Sequence, residues 1–264
     1  MGAKILATMA VVITGAVLLN GVSDFPTFGD ARSPANAGVE GGSPSASLYY
    51  INESYGDTKV PNFVTSILAD YRGYDTMFET VVIFAAGMAI FAILRVVSTE
   101  GTAVVSASPS KSSIDGDHHR IIEGMTVRIV VPLVQLFALY VVGHGHHSPG
   151  GGFQGGVMLG ASFILIALAG NLGDALGRLS ERTYITLACV GIFIYAGFGA
   201  LPIILGKNLF DYGVLQKILL TDGPEMARSH SMLGVEIGVA LTVMSIMFAI
   251  FANLSSRGTL KGGL

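Results

Sequence analysis

Carboxylates at the edges and in the interior of long apolar segments are the residues of this chain best suited to chemistry. Asp75 and Glu79 lie four residues apart at the start of one such segment, a spacing that puts both on one helix face. Two neighbouring carboxylates resist being ionised together, which suits a site that binds protons or cations near neutral pH. In the alternative interpretation, Asp75 caps the helix and Glu79 pairs with Arg72 at the membrane surface.

Glu236 is the deepest carboxylate and lies one or two turns inside the last apolar segment. A buried glutamate must be protonated, paired or hydrated. His230 precedes it, and histidine is the side chain best suited to exchange protons near physiological pH, so together they predict a proton relay. Gly234 and Gly238 flank Glu236 in a small-xxx-small pattern, which favours close helix packing instead. The two interpretations are compatible.

A glycine- and histidine-rich run, GHGHHSPGGGFQGG, separates two apolar segments at residues 143–156. Backbone groups that Gly and Pro release from a helix find no partners in lipid, so such a run marks a packed turn or a break in an ion path. Most of the run is interpreted as structural, with a turn and a close-packing stripe made by Pro149, Gly150, Gly151, Gly152, Phe153, Gly156 and Gly160. His146 is the residue in it that could contact protons or water. Since the run holds no carboxylate or cysteine, we predict no metal site.

Arg128 is a further charged residue within an apolar segment. At the centre of a membrane helix an arginine costs roughly 2.5–3.5 kcal/mol. Gln135 falls on the same helix stripe, so we expect this stripe to face protein rather than lipid. Arg128 is then either part of an ion path or paired with Glu123.

Composition predicts that membrane helices position these residues. The 264 residues are 51% hydrophobic and 12% charged, with a mean hydropathy of +0.63 and a net charge of −3, whereas soluble domains carry about 25% charged residues. Six apolar segments approach the roughly 20 residues that span a bilayer. They lie at residues 5–22, 78–97, 121–142, 155–171, 184–205 and 231–253. We predict an all-α polytopic membrane protein with no cofactor and no nucleic-acid partner.

The two ends of the chain carry further signals. The first segment follows Lys4 as in a signal peptide, but no small-x-small cleavage site follows it, so we expect it to be retained as a span. Lysine and arginine are denser in the short loops on the side of both termini. The positive-inside rule therefore predicts cytoplasmic termini.

The chain is predicted to contain two modules, residues 1–98 with two spans and residues 119–264 with four. A linker rich in Ser, Gly and Asp joins them at 99–118. Residues 23–57 are predicted to be irregular because Pro, Gly, Ser and Asn recur throughout. Residues 60–74 repeat apolar side chains at i, i+3 and i+4, which predicts an amphipathic helix at the membrane interface or on a partner.

The glycine- and histidine-rich run and the segment before it resemble the sequence of a known family. The string GHHSPGGGFQGG at 145–156, preceded by RIVVPLVQLFALY at 128–140, resembles the signature of the B subunit of Mrp-type multisubunit cation/proton antiporters. Related subunits of membrane-bound hydrogenases carry it as well. His147 replaces the usual asparagine-like residue and His144 is an addition, so the resemblance supports no special role for either. It continues more loosely through GALPIILG at 199–206 to the Glu236 segment.

The first half resembles a second component of the same system. The string NFVTSILADYRGYDTMFETVVIFAAG at 62–87 is similar to the C-terminal segment of the large A subunit of Mrp antiporters and to its small counterpart in membrane-bound hydrogenases. In that family the carboxylate that matches Glu79 is thought to lie on the cation path. The chain therefore resembles a fusion of two segments that are usually separate polypeptides.

The resemblance implies a non-catalytic subunit of a prokaryotic inner-membrane complex that moves Na⁺ or H⁺. That complex would be an antiporter or a redox-driven assembly such as a membrane-bound hydrogenase, and its other membrane subunits would be the partners. The ion-path candidates are Glu79, Asp75, Glu236, His146, His230 and Arg128. The alternative is a purely structural helical wedge that holds ion-pumping subunits together without carrying ions.

Overall fold

A computed structural model of the chain describes residues 2–23, 25, 27, 29–30, 45–99 and 114–260. The regular elements in these ranges are all helical, so the predicted fold class is confirmed. The α-helices are α1 (Gly2–Ser23), α2 (Ala46–Thr58), α3 (Phe63–Thr65), α4 (Gly73–Thr99), α5 (Ile114–Gly143), α6 (Gly152–Ala169), α7 (Leu172–Arg178), α8 (Glu181–Ile204), α9 (Gln216–Leu219) and α10 (Pro224–Ser255). A π-helix (Ser66–Tyr71) precedes α4, and a 3₁₀-helix (Tyr212–Leu215) precedes α9.

Six of these helices are long and apolar enough to cross a membrane, as the sequence predicts. The spans are Lys4–Ser23, Gly73–Arg95, Gly124–Gly143, Gly152–Ala169, Glu181–Ile204 and Pro224–Ser255. The last span begins seven residues before the predicted start at 231. Pro224 occupies its first turn, where the missing N–H of proline costs no helical hydrogen bond.

The chain divides into two compact units, Met1–Glu53 and Ser54–Leu264. The first contains α1, whose Leu6, Val11 and Leu19 are exposed. The predicted module boundaries at 98 and 119 remain a prediction. Most of the predicted linker at 99–118 lies outside the described residues, but its last residues, from Ile114, are helical.

The prediction of irregular structure over 23–57 is wrong for its last part, because α2 begins at Ala46. Because the sequence of α2 is largely polar, it lacks the apolar repeat from which a helix is predicted. The C-terminal end of α2 is fixed by buried hydroxyl groups. The Thr58 hydroxyl lies 2.7 Å from the Ser54 carbonyl oxygen and 3.1 Å from the Ser66 hydroxyl.

The predicted segment 60–74 contains two short helices, α3 and the π-helix. The π-helix ends at Tyr71, and α4 begins two residues later at Gly73. The inner side of this segment carries the small side chains of Thr65, Ser66 and Ala69. Apolar side chains of Phe63, Val64 and Leu68 are exposed on the outer side. An exposed apolar face is what the predicted amphipathic helix presents to a membrane interface or a partner.

The centre of the second unit is α10, which packs against α4, α6 and α8. Glycines make two of these contacts close. Cβ atoms added to Gly156 and Gly160 would meet the backbone of Ala240 and Met244 on α10. On the α8 side, added Cβ atoms at Gly234 and Gly238 would meet Phe198 and the Gly191 carbonyl. Both glycine stripes predicted from the sequence therefore join helices within this chain.

Candidate ion-binding site

The glycine- and histidine-rich run forms the turn between α5 and α6. The chain leaves α5 at Gly143 and enters α6 at Gly152. Gly150 and Gly151 have φ angles of +148° and +128°, a backbone region that favours glycine. Lacking side chains, these residues also let the turn approach α10 closely.

The turn leaves room for the carboxylate of Glu236. A Cβ atom added to Gly151 would lie 2.7 Å from Oε1 of Glu236, and one added to Gly145 would lie 2.5 Å from Oε2. At Gly152 an added Cβ would collide with the backbone of Glu236 itself. The family signature and the deepest carboxylate, which the sequence presents as separate features, therefore belong to one site.

Two side chains before the π-helix hold the turn in place. The Asn62 side-chain amide donates to the carbonyl oxygens of Gly145 at 2.7 Å and Ser148 at 2.8 Å, and its backbone N–H donates to the His146 carbonyl at 2.9 Å. The Thr65 hydroxyl donates to the Gly145 carbonyl at 2.8 Å and lies 3.5 Å from Oε1 of Glu236. These bonds satisfy carbonyl groups that the broken helix leaves free.

A cavity of about 280 Å³ lies beside this turn and is lined by both carboxylates, Glu79 from α4 and Glu236 from α10. Its polar wall also includes Thr65, Thr76, Thr80, Gln154 and Tyr195. The apolar wall is made by Val64, Leu68, Ala69, Phe153, Val235 and Val239. Helices far apart in sequence therefore bring two acidic groups to one small cavity.

The Glu236 carboxylate has spare hydrogen-bonding capacity. Its residue is 8% exposed, and Oε2 has no hydrogen-bond partner among the residues that the structure describes. Glu79, the second carboxylate at the cavity, is exposed and forms no ion pair with any described residue. A buried carboxylate such as Glu236 is stabilised by a proton or by a bound cation, because an isolated buried charge is costly. The arrangement can therefore hold H⁺ or a small metal cation.

Asp75 and Arg128 lie away from this cavity. Asp75 shares a helix face with Glu79 as predicted, but its carboxylate pairs with Arg72 at 2.5 Å and both side chains are about half exposed. Arg128 lines a different cleft near the opposite ends of α5 and α6, while Gln135 donates to the Ser162 hydroxyl at 3.0 Å. The predicted polar stripe thus faces α6 and the cleft beside it.

His146 and His230 lie near the turn but do not line the cavity. The Nε2 atom of His146 is buried without a hydrogen-bond partner among the described residues. Burial lowers the pKa of His146, and the neighbouring His147 and His230 lower it further. His146 is therefore neutral at physiological pH. His230 is exposed in the first turns of α10.

An ion-pair cluster that the sequence does not reveal fixes the π-helix to the start of α10. Arg228 donates to both carboxylate oxygens of Asp70, at 2.7 and 3.0 Å, and lies 3.8 Å from Asp57. The Asp57 carboxylate also accepts from the Tyr71 hydroxyl at 2.7 Å. Burial raises the pKa of Asp70 although Arg228 opposes that shift. This cluster sets the position of the segment that carries Thr65.

The fold and site define an all-α membrane protein with two acidic residues on the wall of one cavity, and comparisons with known proteins identify its family. Residues 122–249 match the family model described as a domain related to the MnhB subunit of Na⁺/H⁺ antiporter. Residues 41–110 match the MbhE family, described as the E subunit of MBH.

Relatives with similar sequence support the same assignment. A Staphylococcus haemolyticus protein described as antiporter subunit mnhB2 is 32% identical over 130 residues, covering 48% of this chain and 89% of that protein. A Methanocaldococcus jannaschii protein of uncharacterized function is 32% identical over 152 residues, covering 51% of this chain and 58% of that protein. A Rhizobium meliloti protein described as the A/B subunit of a K⁺/H⁺ antiporter is 27% identical, and the match covers only 14% of its length.

The chain belongs to the MnhB family of antiporter subunits, with an MbhE-like segment before the MnhB domain. The tandem resemblance predicted from the sequence is therefore confirmed.

Two solved structures share the fold. One is a chain of the archaeal membrane-bound sulfane sulfur reductase complex, with a TM-score of 0.54, 23% identity and coverage of 92% of this chain and 97% of that chain. The other is a chain of the Mrp complex from Dietzia, with a TM-score of 0.60, 21% identity and coverage of 95% of this chain and 26% of that chain.

Proposed function

We propose that this chain is a transport subunit of a multisubunit membrane complex that exchanges Na⁺ and H⁺, and that Glu79 and Glu236 bind the transported ion in their shared cavity. The single observation that carries the proposal is that these two carboxylates, from different spans, line one cavity. Membership of a family of Na⁺/H⁺ antiporter subunits supports the class of ion.

The electrostatics of the cavity give the mechanism. The Glu236 carboxylate loses solvation beside this small, partly apolar cavity, and one of its oxygens has no hydrogen-bond partner among the described residues. A proton or a Na⁺ ion offsets that cost, so the two cations compete for the same oxygens. A change of charge in a neighbouring subunit then shifts that competition, and the ion is exchanged without any chemical reaction by this chain.

The turn between α5 and α6 supplies the rigid side of the site. Asn62 and Thr65 hold the Gly145 carbonyl, and the glycines at 145 and 151 fit around Glu236. Broken backbone next to an ion site is typical of membrane transporters, where it lines a cavity rather than facing lipid. In this proposal Glu236 is the fixed ligand of the ion. Glu79 is more exposed, so it is the ligand that responds to charge in neighbouring subunits.

The remaining subunits of the complex are the proposed partners. Large apolar side chains on the outer faces of α4 and α5 are exposed in the chain by itself, among them Val82, Ile93, Leu133 and Leu136. Lipid or other membrane subunits cover such faces. We place the complex in a prokaryotic inner membrane with both termini of this chain in the cytoplasm.

Transport in everted membrane vesicles that contain the whole complex tests the proposal. Glu79→Gln and Glu236→Gln should each sharply reduce coupled cation/proton exchange, to a residual rate that can still be measured, while the complex still co-purifies. Glu225→Gln is the matched control because Glu225 lies on the same helix as Glu236 but does not line the cavity. Normal exchange by both cavity variants would refute the proposal. It would favour a structural wedge, for which glycine substitutions at Gly152 or Gly156 alone should cause a loss, through failed assembly.

A further inference from the structure

A second cleft lies near the other ends of α5 and α6, where they meet α7. It encloses about 780 Å³, and two arginines and one aspartate, Arg128, Arg178 and Asp174, lie on its walls. Glycines occupy much of the remaining wall, and Cβ atoms added to Gly124 and Gly177 would meet nothing within 4 Å. The cleft is therefore wide and open at the height of the span ends, and it takes no part in the carboxylate site.

Among the described residues that line the cleft, positive charge is in excess. Arg128 and Arg178 form no ion pair or hydrogen bond with any side chain that the structure describes, and neither does the Asp174 carboxylate. Two guanidinium groups and one carboxylate leave a net charge of +1. Arg128 is four residues inside a span that begins at Gly124, or roughly 6 Å along the helix axis. An arginine at that depth calls for an anionic partner or a path to water.

The surface that continues from the cleft is apolar. Met125, Ile129 and Leu133 follow one another along α5 at four-residue spacing, and each is more than 60% exposed. Since α5 packs mainly against α6, its outer face remains available to hydrocarbon. A charged cleft at the span ends that continues into an apolar helix face matches a molecule with an anionic head and an apolar tail.

We propose that this cleft binds the head group of an anionic phospholipid, whose phosphate contacts Arg128 and Arg178 and whose acyl chains lie along α5. The planar guanidinium fork matches phosphate oxygens in pairs. Basic pockets between membrane helices on the cytoplasmic side are typical sites for anionic head groups, and that side is the one predicted for these helix ends. Asp174 can accept a hydrogen bond from a hydroxyl of the head group, which favours a glycerol head over choline.

Lipid binding to the purified full chain tests this proposal. The chain is delipidated in detergent and titrated with phosphatidylglycerol or phosphatidylcholine, and bound lipid is counted by native mass spectrometry. Phosphatidylglycerol should bind in preference to phosphatidylcholine. Arg128→Gln and Arg178→Gln should each weaken its binding by about fivefold. Arg182→Gln is the matched control, since it removes the same charge at the same end of the bundle but outside the cleft.

A variant that keeps both arginines separates binding from folding. Gly177→Leu narrows the open cleft from α7, where an added Cβ meets nothing within 4 Å and leucine is a better helix former. It should reduce phosphatidylglycerol binding as strongly as the arginine variants do without lowering the unfolding temperature. Equal binding of both lipids, or unchanged phosphatidylglycerol binding in all three cleft variants, would overturn the proposal.

Discussion

Gly151 is in contact with Glu236, since a Cβ atom added to Gly151 would lie 2.7 Å from Oε1 of that glutamate. This relationship joins the most family-specific turn of the sequence to the deepest carboxylate of the membrane domain. Position 151 requires glycine for two reasons: its φ angle is +128°, and the Glu236 carboxylate occupies the space that a side chain would need. The turn therefore shapes the ion site as well as connecting two helices.

Gly151→Ala should destabilise the chain by about 1–3 kcal/mol, because it strains the backbone and pushes against Glu236. Thermal unfolding of the purified protein measures the loss. Gly143→Ala is the control, since Gly143 ends α5 with no neighbour within 4 Å of its added Cβ. Equal unfolding temperatures for the two variants would show that the turn does not enclose Glu236 this closely.

Thr65→Val should alter transport more than stability. The Gly145 carbonyl keeps its bond from Asn62, so the cost in unfolding free energy should be about 1 kcal/mol. Glu236 loses the hydroxyl that lies 3.5 Å from Oε1. The same hydroxyl donates its one proton to the Gly145 carbonyl, so Thr65→Val also removes a bond that holds the turn beside Glu236. The rate of exchange should therefore fall, and Thr65→Ser should restore it. An unchanged rate in Thr65→Val would contradict the role given to this hydroxyl.

Asp75→Asn should leave exchange close to normal, in contrast to Glu79→Gln. Asp75 pairs with Arg72 in solvent-exposed positions, and such pairs contribute about 0–1 kcal/mol. Vesicle transport by the two variants, at matched amounts of assembled complex, measures the contrast. An equal loss of exchange in both variants would assign the ion path to the start of α4 rather than to the cavity.

The Asp70–Arg228 pair should make stability depend on pH. Because the pKa of Asp70 is raised on folding, the folded state binds its proton more tightly than the unfolded state. Its contribution to stability is therefore fully present below the ordinary aspartate pKa of about 4 and is lost as pH rises through the raised value. Asp70→Asn should remove this dependence from the unfolding temperature measured across the acidic range.

Arg228→Gln supplies the complementary test of that pair. It leaves the Asp70 carboxylate buried without its cation and should cost about 3–5 kcal/mol at neutral pH. The loss should shrink on acidification as Asp70 becomes protonated. A loss that is the same at every pH would show that Arg228 acts through packing rather than through Asp70.

Much of the fold follows from the sequence, because length and hydropathy are enough to identify six spans. Hydropathy also identifies Glu79 and Glu236 as candidate site residues, because carboxylates in apolar segments are rare and costly. Their meeting in one cavity was not predictable, because it depends on how α4 and α10 pack. The 3.6-residue period also could not reveal the π-helix at Ser66–Tyr71, which buries the small side chains of Ser66 and Ala69.

The contacts by which Asn62 and Thr65 hold the turn cannot be predicted from the sequence for a related reason. Asn62 directly precedes a helix, and asparagine is a favoured N-cap, so the sequence is enough to predict its capping role. The sequence does not predict its hydrogen bonds to Gly145 and Ser148, because these residues lie more than 80 positions away along the chain. Local patterns predict local contacts, and this site is made of distant ones.

A double-variant cycle on exchange activity tests most directly whether Glu79 and Glu236 form one ion site. Exchange is measured in vesicles for Glu79→Gln, Glu236→Gln and the double variant, with the amount of assembled complex matched. Residues that act as one unit are strongly non-additive. The double variant should therefore be no worse than the more damaged single variant. Losses that multiply would contradict a shared site and assign the two carboxylates to separate steps.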